Sequence, residues 1–261
     1  METGVCEEEV GEFCEWVDAI SPDPDTCLTV IRASIDEAST HDPDLPMCVA
    51  VVAGTSTQWK KWAEAWYPAA EKALGSVTEY HANRNNGALN DLLASLIYKH
   101  MDCAHAFVMS DIMYRDNMRE DKRGLVGSAY CLGVHASLTS IGEYYWRKKT
   151  AAVVLEAGHG HETEVTNYLN GILTKGPDFQ RRLCFRSHTW VGKEEPAIHP
   201  ADLVSWAVAR AGPRGSDLTR ILRHKLAVTA FGLKEIQDFN AAIPSASYVR
   251  KLRKQWKREG L

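Results

Sequence analysis

Several things are missing from this 261-residue chain, and each absence excludes a class of protein. Its seven cysteines contain no CxxC pair and are scattered, which excludes a disulfide framework and a cysteine-built zinc site. Cys27, Cys48, Cys103 and Cys184 fall in extended stretches and Cys131 in an apolar helical one, the places of reduced core thiols. No apolar run reaches the length of about 20 residues that spans a membrane. The acidic start, with Glu7, Glu8 and Glu9, lacks the basic-then-apolar pattern of a secretory leader. No membrane association is expected, and the cytoplasm is the expected location. Internal repeats and low-complexity tracts are also lacking, so no solenoid is in view.

What is present is an ordinary globular composition, 45% hydrophobic and 25% charged, in a chain long enough to bury a sizeable core. The net charge of −4 is unevenly spread. Glu7, Glu8, Glu9, Glu12, Glu15 and Asp18 crowd one end, while Arg250, Lys251, Arg253, Lys254, Lys257 and Arg258 crowd the other. Val249, Leu252 and Trp256 recur at helical spacing within that basic tail, so one helix face can dock while the charges face a polyanion.

The stretch 27–40 organises the rest. Ile31, Ala33 and Ile35 share one face of a strand by the period of two, and Arg32, Ser34 and Asp36 share the other. A core strand that gives one face to an arginine, a serine and a carboxylate departs from the apolar pattern, and such departures accompany sites. The plainer reading is an edge strand with a solvated outer face.

Around it, residues 7–20 read as an amphipathic helix ended by Ser21-Pro-Asp-Pro-Asp25, and 47–53 as a second strand. A helix capped by Ser56 or Thr57 runs to Leu74, with Trp59, Trp62 and Trp66 on its core side. Residues 76–81 read as extended, 88–100 as a helix, 103–111 as a buried strand and 114–123 as a charged loop. A long apolar helix over 125–146 holds His135 as a hydrogen-bonded structural residue. A strand over 150–156, a helix over 162–173, a short strand over 182–187 and a helix over 199–210 follow, the last with Pro200 near its start. Strands that begin as a hairpin and then alternate with helices predict a mixed sheet covered on both faces. The expected organisation is an acidic N-terminal helix over 1–22, one α/β domain over 27–211, and a helical extension over 212–261 with the basic tail.

Asp36 ends the first strand, Glu156 ends a later one, and Asp202 occupies the first turn of the helix after the last. Singly, each has a plain use as a turn or helix-start acid. Jointly, carboxylates brought from separate elements to one sheet edge repel each other unless a cation neutralises them, and Mg²⁺ or Mn²⁺ prefers such oxygen ligands. The loop Gly158-His-Gly-His161, flanked by Glu156 and Glu162, offers a second ligand set. It reads as a Zn²⁺ site, as solvated histidines or as a phosphate contact, with no HExxH helix to favour the metal.

Ile35-Asp-Glu-Ala-Ser39, Glu79-Tyr-His81 and Ala197-Ile-His-Pro-Ala-Asp-Leu-Val204 resemble, in order and rough spacing, three motifs of the domain of unknown function 3800 family. Those motifs are an opening D-E-S-G, an F-H element and I-Q-L-A-D-L-V. The resemblance covers residues 27–210. The chain departs from it at Thr40, where the family has glycine, and at His199, where it has glutamine. The resemblance implies a ribonuclease H-like fold of the integrase and resolvase kind and metal-dependent phosphodiester chemistry on nucleic acid. Asp36, Glu156 and Asp202 would then hold Mg²⁺ or Mn²⁺, with Glu162 or Glu164 as substitutes for Glu156. Glu37 would support them from alongside, and His81 would orient a phosphate or move a proton. Outside the resemblance, Arg250, Lys251, Arg253, Lys254 and Lys257 of the basic tail read from their charge as holding the nucleic-acid backbone, or more plainly as the outer face of a solvated terminal helix. The alternative is a non-catalytic binding or scaffold protein that keeps the same fold.

Overall fold

A computed structural model describes residues 31–38, 46–84, 87–120, 127–145, 150–158, 160–174, 180, 183–209 and 213–242. The expected acidic helix over 1–22, residues 27–30 of the organising strand and the basic tail lie outside these residues.

Strand β1 (Ile31–Ala38) is buried along both faces through Asp36. It lies in the middle of a six-stranded sheet, not at an edge. Its neighbours are β2 (Met47–Thr55) on one side and β4 (Ala151–Glu156) on the other. With β3 (Cys103–Met109), β5 (Phe185–Val191) and β6 (Leu226–Phe231), the order is β5-β4-β1-β2-β3-β6. β2 runs against β1 and β3, while the β1–β4, β4–β5 and β3–β6 pairs are parallel. This is a ribonuclease H-like mixed sheet with a sixth strand added beside β3.

The eight α-helices among the described residues divide between the two faces. On one lie α1 (Ser56–Leu74), α2 (Gly87–His100), α6 (His199–Ala209) and α7 (Pro213–Leu222). Trp59, Trp62, Trp66, Leu93, Leu203 and Leu222 from this layer join Cys48, Ala50 and Val52 in one core. On the other face lie α3 (Asp111–Asn117), α4 (Ala129–Tyr144), α5 (Glu162–Leu173) and α8 (Leu233–Ala242). There Ile31, Ala33 and Ile35 pack with Val134, Leu138 and Leu169 in a second core. α4 approaches β2 closely enough that a Cβ on Gly133 would stand 2.5 Å from a Val49 methyl, so glycine is required there. His135 on the same helix bonds the Tyr168 hydroxyl, the structural role expected of it.

Several local expectations need correcting. The cap of α1 is Thr55, which forms a reciprocal capping box with Gln58. Residues 77–79 form a 3₁₀ turn and not an extended segment. The charged loop expected over 114–123 begins as α3, capped by the Ser110 side chain. β5 starts at Phe185 and not Arg182, after Cys184 takes a left-handed φ of 52°. The segment expected to be a purely helical extension beyond residue 211 supplies β6 to the sheet. Among the described residues no helix is long and apolar enough to cross a membrane.

Candidate active site

The register of the central strands builds the site. β1 and β4 run in parallel with Ile31 opposite Ala151 and Ile35 opposite Leu155, so the next step of the pair sets Asp36 beside Glu156. Both are buried, at 1% and 5% exposure. By alternation along the strands, both point into the layer that contains α6. α6 lies across β1 and β2 on that face and presents Asp202 from its first turn.

Asp36 near the C-terminal end of β1 and Asp202 in the first turn of α6 are near enough for the Asp202 charge to act on the Asp36 carboxyl. Burial, followed by Glu37, Glu156 and Asp202, holds the Asp36 carboxyl well above the carboxylate range. Neither Asp36 oxygen has a hydrogen-bond donor, and both are shut off from solvent. Glu37 turns to the other face, toward the buried hydroxyl of Tyr130. Burial and Glu156 push its carboxyl up to about 7, while Lys193 and the Tyr130 hydroxyl pull the other way.

Asp202 is anchored from outside its own helix. Its Oδ2 accepts the Ala82 backbone N–H at 2.9 Å and stands 3.6 Å from His81 Nδ1. The turn that carries these groups is fixed by buried bonds: the Tyr80 hydroxyl donates to Asn90 Oδ1, and Asn90 Nδ2 donates to the Ala82 carbonyl. Burial raises the Asp202 carboxyl, and the Ala82 N–H and His81 oppose that rise. His199 lies beneath, fully buried, with Nδ1 accepting from Trp66 Nε1 at 3.1 Å. Burial pushes it down to about 3, so it is a neutral packing histidine that carries its proton on Nε2.

Lys193 belongs to this group, and sequence reasoning missed it. Val191 at the end of β5 pairs with Glu156, and the turn after it brings Lys193 Nζ to 2.8 Å from Glu156 Oε1. The sequence did not signal this, because the strand was expected to end at 187, while β5 runs on to Val191. Tyr130 was missed as well, because nothing local marks one aromatic among the many apolar residues of α4.

The other candidates stand apart. Glu162 accepts the Gly158 N–H, and Glu164 accepts the Ser128 N–H while facing His161 at 3.6 Å. Both carboxylates hold loops, so Glu156 is the mid-sheet acid of the cluster. His159 of that loop lies outside the described residues. Arg250, Lys251, Arg253, Lys254 and Lys257 also lie outside them. As the side chains stand, no three His, Cys, Asp or Glu among the described residues enclose a metal-sized space.

Fold and site together define an α/β protein with a ribonuclease H-like sheet and carboxylates gathered at the ends of its central parallel strands. No family model matches the chain, and no curated protein does. Among solved structures it is similar to the RNase HII of Archaeoglobus fulgidus in its complex with PCNA, at 15% identity and TM-score 0.39, covering 88% of this chain and 90% of that one. It is similar to the ribonuclease H2 of Pyrococcus horikoshii OT3 at 11% identity and TM-score 0.41, covering 89% and 90%. It is also similar to Bst-RNase HIII in complex with Mn²⁺, at 16% identity and TM-score 0.44, covering 81% of this chain and 66% of that one. The fold assignment rests on strand order and direction and not on these scores.

Proposed function

We propose that the chain is a Mg²⁺- or Mn²⁺-dependent nuclease, or a related phosphodiesterase, acting on nucleic acid. The observation that carries this reading is the buried pair of Asp36 oxygens without a donor, set among Glu37, Glu156 and Asp202. Buried charge without a partner is costly, and a hard divalent cation removes that cost through oxygen ligands. Asp36, Glu156 and Asp202 would hold the ion. When bound, it would activate water and stabilise the leaving oxygen of a phosphodiester.

The remaining roles belong to the chain's own groups. His81, beside Asp202 and part-exposed, is placed to orient a phosphate or move a proton. Lys193 neutralises Glu156 and keeps the cluster folded before an ion enters. Tyr130 closes the far side at Glu37. The motif resemblance at Asp36, His81 and Asp202 supports the same assignment.

A second reading has its own support. Lys193 and His81 already answer two of the carboxylates, which suits a non-catalytic protein that keeps the fold. The deciding experiment combines melting with and without Mn²⁺ and single-turnover cleavage of labelled DNA and RNA oligonucleotides. Saturation at about 100 times Kd should stabilise the protein by about 2.7 kcal/mol. Cleavage should require the ion and vanish in Asp36→Asn. An unmoved melting temperature together with intact oligonucleotides would leave only the scaffold reading.

A further inference from the structure

At the end of the sheet opposite the carboxylates, the start of β3 and the start of β6 lie side by side, with Ala104 paired to Leu226. Three segments bring cations there: Lys61 on α1, Tyr98-Lys-His100 at the end of α2, and Arg223-His-Lys225 in the turn from α7 into β6. Tyr98, Arg220, Ile221, Arg223 and His224 line an open cleft of about 450 Å³, a volume in the range of small-ligand sites. Tyr98 is 40% exposed, and Lys225 Nζ lies 5.8 Å from its ring centroid.

Positive charge here exceeds its local answer. Arg220 is paired with Asp217 at 3.3 Å, both of them exposed. Arg223 Nε donates to His224 Nε2 at 3.0 Å, so its partner here is an imidazole and not a carboxylate. Burial, followed by Lys99, Lys61 and Lys225, presses His100 below its ordinary range, an independent sign of the surrounding positive field.

We propose that this cleft binds single-stranded nucleic acid, with a base on the Tyr98 face and the flanking phosphates on Arg220 and Arg223. It rests on the nucleic-acid part of the reading above and not on cleavage. An unpaired base supplies the π-face that an exposed tyrosine takes, while arginines track the backbone. A duplex keeps its bases stacked inside, and an acidic peptide has no use for the ring. Through Ala50, Asp36 stands level with Ala106 of β3, so along the strands only about 7 Å separates the carboxylates from Ala104, and the rest of the way to the cleft runs across β2 and β3. A strand that engages both places must therefore span that width of sheet.

Fluorescence anisotropy of labelled oligothymidylates of about 4 and about 16 nucleotides, the range of known single-strand sites, tests this in the full chain. Chelator is present throughout, so nothing is cut. Tyr98→Ala should weaken binding by about 10-fold or more, and Tyr98→Phe should restore it, since stacking and not the hydroxyl is used. Arg220→Gln with Arg223→Gln should flatten the salt dependence by about 0.7 for each phosphate no longer held. Wild-type affinity and slope in these surface variants would overturn the proposal, as would an equal weakening with a duplex probe. If the variants lose binding while Mn²⁺-dependent cleavage is absent from wild type, the cleft stands and the nuclease reading falls.

Discussion

Replacing Asp36 by asparagine tests whether the carboxylates are held together at a cost to the folded state. Asp36 is desolvated and faces three other acids, so its ionised form is disfavoured. Glu37 gives the scale, held at about 7 in place of 4.5. At 1.36 kcal/mol for each pH unit, that amounts to about 3 kcal/mol against its ionised form. A carboxyl raised in the folded state binds its proton more tightly there than in the unfolded chain. Its contribution to stability is complete below pH 4.5 and is lost as the pH rises through about 7. Metal-free wild type should therefore lose stability across that window, with Asp36 extending the loss upward. An asparagine side chain here would resemble the protonated acid and could donate its amide to Glu156. At pH 8 with chelator, Asp36→Asn should melt above wild type by about 2–3 kcal/mol, or about 5–10 °C for a chain of this size. Near pH 3, below the ordinary Asp value of 3.8, where both side chains are neutral folded or unfolded, the two should melt together, and at pH 8 Mn²⁺ should raise wild type alone. A variant that melts below wild type at pH 8, or a difference independent of pH, would refute the reasoning. Thermal melts followed by circular dichroism at the two pH values are sufficient.

Further outcomes follow from the same geometry. His81→Ala should lower single-turnover cleavage by about 10²–10⁴-fold while leaving Mn²⁺ affinity within a few-fold; unchanged turnover would reduce His81 to a support for Asp202. Trp66→Phe removes the donor to buried His199 Nδ1 and should cost about 1–3 kcal/mol in urea unfolding, with Mn²⁺ binding preserved. Deleting residues 250–261 should weaken single-strand binding for all sequences alike and flatten its salt slope by about 0.7 for each phosphate held by Arg250, Lys251, Arg253, Lys254 and Lys257. Titrations at several salt concentrations would show whether affinity and slope survive the deletion.

The alternation in β1 was legible in the sequence, and with it the face shared by Ser34 and Asp36, because a period of two needs only adjacent residues. The central place of β1 was not, because pairing with β4 is decided far along the chain and leaves no local mark. α3 was hidden for a different reason. Ser110 caps it, but its charged content resembles a loop. β6 carries Val228, Thr229 and Phe231 at strand spacing, yet an exposed edge strand between helices shows no buried face to announce it. Among the site residues, Asp36, Glu156 and Asp202 could be named because each was expected at the end or start of an element, although β1 runs two residues past Asp36. Lys193 reaches Glu156 only through the β4–β5 pairing, a tertiary fact with no sequence signature.

The way Asp202 is anchored has a consequence for how the molecule comes into being. Its carboxylate takes the Ala82 N–H from 120 residues away, and β1 meets β4 only after the intervening helices and strands exist. Contacts of such separation form late, since the entropy of closing long loops must be met before they stabilise anything. A chain still emerging from the ribosome can fold the β1–β2 hairpin and α1 without possessing the acidic cluster. The proposed chemistry would therefore await the synthesis and docking of α6, and local opening of α6 would take the cluster apart again.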